Sequence, residues 1–430
     1  MTNGVAVTHP QIGQAASGRL SAANTPRLKS LVISTLFPNS AQPRHGIFIE
    51  HRLRNMNESG RIAMEVLAPV PWFPFTNQRF GSYAAFARAP RAALRHGLEI
   101  RHPRYLAIPK VGMTLAPFLL AAALVRPIGD LIRAGRDFEV IDAFYFYPDG
   151  VAAAMLGRYF RKPVVIHALG TDINLIPQRL LPRQMIRWAA QSAAGISAVC
   201  QALKDRLVEL GVGEDKIRVI LHGVDLELFR PPNDREADRG RLRLARPTLI
   251  SIGHLIERKG HHIIIEAMTE LPEFELLIAG DGEMEQTLRQ LAQRHRVAER
   301  VRFLGHVDQR ELKTYLGAAD ALVLASSREG IANVLLEAMA CGTPVVTTKV
   351  WGAPEVVTEP EAGVLVSERS PGAVALAVRR LFAAYPDRAA TRRFVESFTW
   401  ARTTREHLAM LEEVLGLSGR IPQTVAERSL

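Results

Sequence analysis

The chain has 430 residues, 47% of them apolar and 23% charged. That length is enough for two or three domains, and the composition excludes a disordered, collagen-like or repeat protein for the bulk of it. The net charge of +11 is unevenly shared: residues 1–230 carry 28 Lys and Arg against 16 Asp and Glu, residues 231–430 carry 26 against 27. A basic half beside a neutral half implies that the first half meets something anionic, or that its helices present Arg-rich solvated faces. The two cysteines, Cys200 and Cys341, form no CxxC pair. A disulfide scaffold and a cysteine-based zinc site are therefore excluded, and a reducing compartment is the default.

In chain order, residues 1–26 are rich in Ser, Ala, Gly, Thr and Pro and lack a continuous apolar run. They read as a disordered leader rather than a signal peptide. A domain over 27–230 follows. Its apolar runs at 28–37, 62–70, 138–145, 162–169, 195–200 and 216–223 read as buried strands, separated by helix-length segments such as 149–161 and 201–210. The longest apolar stretch, Met113 to Val125, has 13 residues, contains Pro117 and stops at Arg126. About 20 are needed to span a bilayer, so a buried core helix is expected there.

Residues 231–246 are Pro-rich, charged and aperiodic, and read as a linker. The pattern restarts in a second domain over 247–398, with strands at 247–255, 274–282, 301–307, 321–327, 344–349 and 362–368. Residues 399–430 form a last helix, carrying Leu408, Leu411 and Leu415, and a tail. The predicted fold class is α/β, two Rossmann-like domains facing across a cleft at the carboxyl ends of their strands.

Four stretches of the second half carry candidate chemistry. In SSREGIANVLLEAMACGTPVV (326–346) a strand runs into Glu329-Gly330, and a helix is expected to begin near Ile331. Free N–H groups at Ile331, Ala332 and Asn333 would suit a phosphate. Glu329 and Glu337, eight apart, would suit sugar or ribose hydroxyls. In ISIGHLIERKG (250–260) Gly253 closes a strand, and Arg258 and Lys259 set two cations at its carboxyl edge. An anionic leaving group would lie there. Gly280-Asp281-Gly282 is explained equally well as a turn. VRFLGHV (301–307) leaves the amides of His306 and Val307 at a strand end, where backbone can read a base. In the first half, His167 ends the strand over 162–169, a position open to either a structural or a functional histidine.

In this order, GHLIERKG, AGDG, FLGHV and SSREGIANVLLEAMACGTPVV closely resemble the C-terminal domain of family 4 glycosyltransferases, retaining enzymes of the GT-B fold. The resemblance is strong over 216–400 and looser before it. It implies transfer of a sugar with retention from a nucleotide-diphosphate sugar, UDP or GDP undecided, with no bound cofactor and no metal. It assigns Arg258 and Lys259 to the donor diphosphate and Glu329 to the transferred sugar. The amides of Ile331, Ala332 and Asn333 would meet phosphate and sugar, Glu337 the ribose and Val307 the base, with Gly253 on the same donor wall. His167 would face the sugar and completes a catalytic set with Glu329, Arg258 and Lys259. One departure is visible: the family usually reads EGFG where this chain has Glu329-Gly330-Ile331-Ala332.

The loop FPNSAQPRHGIFIEHRLRNM (37–56) contains one glycine, Gly46. With its His45-Gly46, and with YPDG (147–150), GTDIN (170–174) and HGVD (222–225), the first half looks like the subset that assembles cell-surface polysaccharide, of the exopolysaccharide or teichuronic-acid type. The resemblance makes Gly46 a donor-side residue and His45, Tyr147, Asp149 and Asp172 candidates for acceptor binding. His222 stands where the family usually has the Asn of NGVD. The implied acceptor is a saccharide or a lipid-linked saccharide. The basic half would then make peripheral contact with an anionic membrane from the cytoplasmic side. An NAD-dependent dehydrogenase would need G-x-G-x-x-G after a first strand, which is absent. No basic stripe interleaved with aromatics indicates nucleic acid. An epimerase or phosphorylase of the same fold, and a non-catalytic nucleotide-sugar binder, stay open.

Overall fold

Val140–Phe144 and Val164–Ala168 are buried at every position, as strands of a parallel sheet covered on both faces must be. The computed structural model describes residues 28–417 apart from 44, 74, 78, 80, 81 and 108–111. The expected leader and the tail beyond 417 lie outside the described residues.

The first domain contains β1 (Leu28–Ile33), β2 (Ile62–Leu67), β3 (Val70–Trp72), β4 (Ala92–Arg95), β5 (Leu98–Arg101), β6 (Arg104–Leu106), β7 (Val140–Phe144), β8 (Val164–Ala168), β9 (Gly195–Ala198) and β10 (Ile217–Val219). Eight of these form one sheet in the order β10-β9-β8-β7-β1-β2-β5-β4, while β3 pairs with β6. The second domain holds β11 (Thr248–Ile252), β12 (Glu275–Ala279), β13 (Val301–Gly305), β14 (Ala321–Leu324), β15 (Val345–Thr348) and β16 (Gly363–Val366). Their order is β13-β12-β11-β14-β15-β16, all parallel. In each sheet the order reverses beside the first strand, between β1 and β7 and between β11 and β14. Ligands of open α/β sheets bind at such points.

Three expectations need correction. The segment over 231–246 is not a plain linker: Arg235–Leu242 is helical, and the Asp234 side chain caps it by accepting from Ala237 N at 2.9 Å. Arg239 reaches Asp320 at 3.0 Å, which fastens this helix to the second domain. An Asn-Asp pair after two prolines is a helix start signal, hidden by the absence of an apolar face.

The apolar stretch from Met113 belongs to a 22-residue helix, Gly112–Arg133, that continues past Arg126 and Pro127. By length and composition it is long and apolar enough to cross a membrane, with a third of its apolar window buried. Leu120, Leu124, Ile128 and Leu131 enter the core of the first domain, whereas Met113, Leu115 and Phe118 are exposed. The β4–β5 hairpin carries little sequence signal because its strands, AALR and LEIR, have only four residues each. Its two-residue turn, His96-Gly97, has positive φ at both places (49° and 77°), as a tight hairpin with the twist of its strands requires. The run over 216–223 pairs only as far as Val219, which frees His222.

The last helix, Trp400–Val414, packs on the first domain rather than the second. Leu408, Met410 and Leu411 join a core cluster with Phe144 and Val165.

Candidate active site

Gly260 has a left-handed backbone (φ 74°), and a Cβ there would sit 2.0 Å from the Ala325 carbonyl oxygen. Only glycine lets the turn after β11 close on the end of β14. The turn is fixed there by Ser327 N donating to Arg258 O at 2.8 Å. That closure brings three charged side chains together. Lys259 Nζ donates to Glu329 Oε1 at 2.6 Å, Arg258 donates to Oε2 at 3.1 Å, and Ser326 Oγ donates to Oε1 at 2.8 Å. Burial works to raise the Glu329 carboxyl, but the Lys259 and Arg258 charges outweigh it and hold the group below the usual carboxylate value. Gly253 and Gly280 support the same edge: a Cβ on Gly280 would lie 1.9 Å from Gly253 O. The Gly-Asp-Gly stretch is thus a close backbone crossing.

Above the cations lies a cavity of about 290 Å³ between the domains. Arg258, Glu329 and Asn333 line it from the second domain; Tyr145, Gly170 and His222 line it from the other side. A second space of about 770 Å³ has Val307 and Arg310 on one wall and His51 and Arg54 on the other. Gly46 (φ 73°) opens the helix Ile47–Glu58, and a Cβ there would meet Leu36 O at 2.2 Å. That approach sets Phe48 into the smaller cavity. His45 is exposed beside it and hydrogen-bonded through its backbone to Gln42.

The two domains touch beside the cations. A Cβ on Gly330 would lie 2.4 Å from Leu169 O. Ile331, where the family has an aromatic, packs on the cores of both domains. Glu355 of the second domain accepts from Gln201 N of the first at 2.7 Å.

The helix after Glu329 begins at Asn333, with Ala332 as its cap, two residues later than expected. Ile331 and Ala332 remain outside the helix because the chain stays extended until it has cleared the first domain. Glu337 is half-buried and has no hydrogen bond or ion pair among the described residues, and burial pushes its carboxyl up to about 7.

Several candidates of the first domain lie behind the cavity wall instead of in it. His167 is fully buried and pairs within the ladder with Phe144 and Ser197, so it points into the core. Its Nε2 meets Asp142 Oδ1 at 2.5 Å and its Nδ1 meets Ser197 Oγ. A residue reaches the cleft only beyond the last ladder pair, and His167 falls short of it. Tyr147 is buried, with its hydroxyl donating to Met113 O. Asp149 accepts from Thr35 N and Oγ1, both at 2.8 Å. Asp172 accepts from Gly170 N at 2.7 Å and Phe146 N at 2.8 Å. Burial raises these carboxyls, to about 7 and about 6. Both hold the loops that line the cavity rather than facing it. Tyr145 and Asn174, which do line it, carried no signal beyond sitting after a strand.

Two Rossmann-like domains closed over a cation pair, with their switch points facing, are the frame of a GT-B glycosyltransferase. The glycosyl transferases group 1 model matches residues 233–396, and the glycosyltransferase family 4 model matches 58–228. D-inositol 3-phosphate glycosyltransferase 1 of Catenulispora acidiphila is 31% identical over 291 residues, covering 60% of this chain and 68% of that protein. TuaC of Bacillus subtilis, named as a teichuronic acid biosynthesis glycosyltransferase, is 27% identical over 363 residues, 82% of this chain and 89% of that one. The structure of Anabaena HepE with UDP-glucose superposes with a TM-score of 0.67 at 20% identity, covering 90% of this chain and 100% of that one. The chain belongs to this glycosyltransferase family and uses a nucleotide-sugar donor.

Proposed function

We propose that the protein moves a hexose from a nucleoside-diphosphate sugar, with retention and without a metal ion, to a lipid-linked or polysaccharide-precursor acceptor at the cytoplasmic face of a membrane. The observation that carries this reading is the Arg258–Lys259 pair, set at a strand switch point and held by a single carboxylate. These two cations supply the positive charge that a departing diphosphate needs. Retention through a covalent intermediate would call for two carboxyls about 5 Å apart, one of them free to attack. Among the described residues Glu329 is the one carboxylate lining the smaller cavity, and both its oxygens are already engaged. This favours attack on the face from which the diphosphate leaves, with the leaving phosphate oxygen taking the acceptor proton. Glu337, without a partner among the described residues, suits the ribose, and Val307 the base.

The membrane part of the reading rests on one face of the first domain. Met113, Leu115, Phe118, Leu180 and Leu181 are exposed there, close in the chain to Arg126, Arg179 and Arg187. The helices Val151–Phe160 and Leu180–Ser192 of that layer contain no acidic residue. Exposed apolar side chains with arginines nearby in the chain suit an anionic lipid surface.

The first test is thermal stabilisation by UDP, GDP and their sugars, in which a ligand at 100 times its Kd adds about 2.7 kcal/mol. Arg258→Ala should then lower turnover by roughly 100- to 1000-fold; near-full turnover in that variant would sink the reading. Co-sedimentation with anionic but not neutral vesicles tests the membrane part separately.

A further inference from the structure

His222 is 6% exposed and lines the smaller cavity, and neither ring nitrogen forms a well-aligned hydrogen bond among the described residues. The Asn333 side chain lies against the imidazole closely enough to act on its protonation, and its Oδ1 has no other partner among the described residues. Two polar side chains that have only each other, without a well-formed hydrogen bond between them, leave donors and acceptors for whatever enters the cavity. The mount is rigid. Val224 N donates to Phe398 O at 2.9 Å, and a Cβ on Gly223 would lie 2.3 Å from Trp400 N. The imidazole is flanked by Phe48, with centroids 5.5 Å apart, and by Trp400 at 6.1 Å. Neither ring can move aside without disturbing the contact between the helix Ile47–Glu58 and the last helix.

Burial, then the nearby Arg52 charge, hold the His222 pKa down at about 3. The ring is neutral, with one nitrogen donating and the other accepting. A sugar hydroxyl likewise does both. So does an asparagine amide, which the family usually has at this place. Asn and neutral His differ in shape and share this pairing of roles.

We propose that His222 is a positioning residue that hydrogen-bonds a hydroxyl of the transferred sugar, together with Asn333, while the diphosphate rests on Arg258 and Lys259. This rests on the donor reading above and adds to it the residue that recognises the sugar from outside the second domain. His222 belongs to the segment joining the domains, so a sugar held by it registers the domain arrangement as well as the donor site.

The test compares a nucleoside diphosphate with the matching nucleotide sugar, UDP with UDP-glucose and GDP with GDP-mannose, on wild type, His222→Asn and His222→Phe. For the pair that wild type binds, His222→Phe should keep the diphosphate affinity within about threefold. It should lower nucleotide-sugar affinity or turnover roughly 10- to 100-fold, the effect of an unmet buried hydrogen bond. His222→Asn should recover most of that loss. Should the phenylalanine variant fail to fold, judged by its melting temperature without ligand, His222→Leu carries the same comparison. Equal losses for diphosphate and sugar, an asparagine variant as poor as phenylalanine, or no loss at all would each overturn the proposal. Wild type that binds none of the four ligands would overturn the donor reading, and this inference with it.

Discussion

Glu329 and Lys259 form a 2.6 Å ion pair that joins the loops after two neighbouring strands, β11 and β14. With Arg258 at 3.1 Å, the carboxylate occupies the two cations that a diphosphate would use. Carboxylate and diphosphate therefore compete. Glu329→Gln should tighten binding of a bare nucleoside diphosphate by roughly two- to fivefold, the scale of one partly exposed ion pair. It should also lower turnover of the sugar donor. Titration calorimetry and nucleotide release read the two effects separately. Weaker diphosphate binding would mean that Glu329 holds the cations in place rather than competing for them.

Glu337 has no hydrogen-bond or ion-pair partner among the described residues, and burial, which disfavours the charge, pushes its carboxyl up to about 7. A ribose hydroxyl donates best to the ionised form. Affinity for the nucleotide sugar should then rise with pH by up to roughly tenfold between pH 6 and 8, because binding favours loss of the proton. The nucleotide sugar is the proper ligand, since its phosphates do not titrate in that range. Glu337→Gln should flatten the profile. An unchanged slope in that variant would remove Glu337 from the nucleotide site.

The second domain was legible because its chemistry lies in contiguous stretches: Arg258, Lys259 and Gly260 follow one strand, Glu329 and Gly330 the next. The first domain was not. Asp142 is buried in the middle of β7 and His167 in the last β7–β8 pair, and a single sequence does not show where a ladder ends and a cleft begins. Asp149 and Asp172 turn back to accept from the amides of Thr35 and Gly170, a choice set by loop geometry. The contact of Gly330 with Leu169 joins residues 161 apart in the chain, and no local pattern records it. The linker helix was missed because its polar sequence lacks the apolar stripe by which helices are read.

Gly330 is the point where the domains meet backbone to backbone. An added methyl group would lie 2.4 Å from Leu169 O, and a backbone carbonyl cannot swing away as a side chain can. Gly330→Ala should force the domains apart locally. The expected cost is about 1–3 kcal/mol of stability, with turnover lowered on the order of 100-fold by misplacement of donor against acceptor. Gly240→Ala is the control: it lies in the exposed helix Arg235–Leu242 with nothing within 4 Å. It should gain roughly 0.5–1 kcal/mol and leave turnover unchanged. A Gly330 variant that behaves like Gly240→Ala would mean that the closed contact is unimportant for transfer.

His407, on the last helix, reaches into the first domain with no exposure to solvent. Arg52 Nε donates to its Nδ1 at 3.2 Å, which places the ring proton on Nε2, 3.1 Å from Asp142 Oδ2. Asp142 meets His167 with its other oxygen, so one buried carboxylate ties β7, β8 and the last helix together. The His407 and His167 imidazoles outweigh burial and hold the Asp142 carboxyl far below its usual value. Removing His407 leaves Asp142 and Arg52 buried with a partner missing, a change worth about 3–5 kcal/mol. His407→Ala should lower the melting temperature by roughly 10 °C. Turnover should fall too, although His407 lies outside the cleft, because the same helix carries Trp400 against His222. Calorimetry and nucleotide release on the purified variant check both. A stable variant with reduced turnover would indicate that the helix chiefly positions the cleft, whereas an unstable variant with normal turnover per folded molecule would indicate that it chiefly holds the domain together.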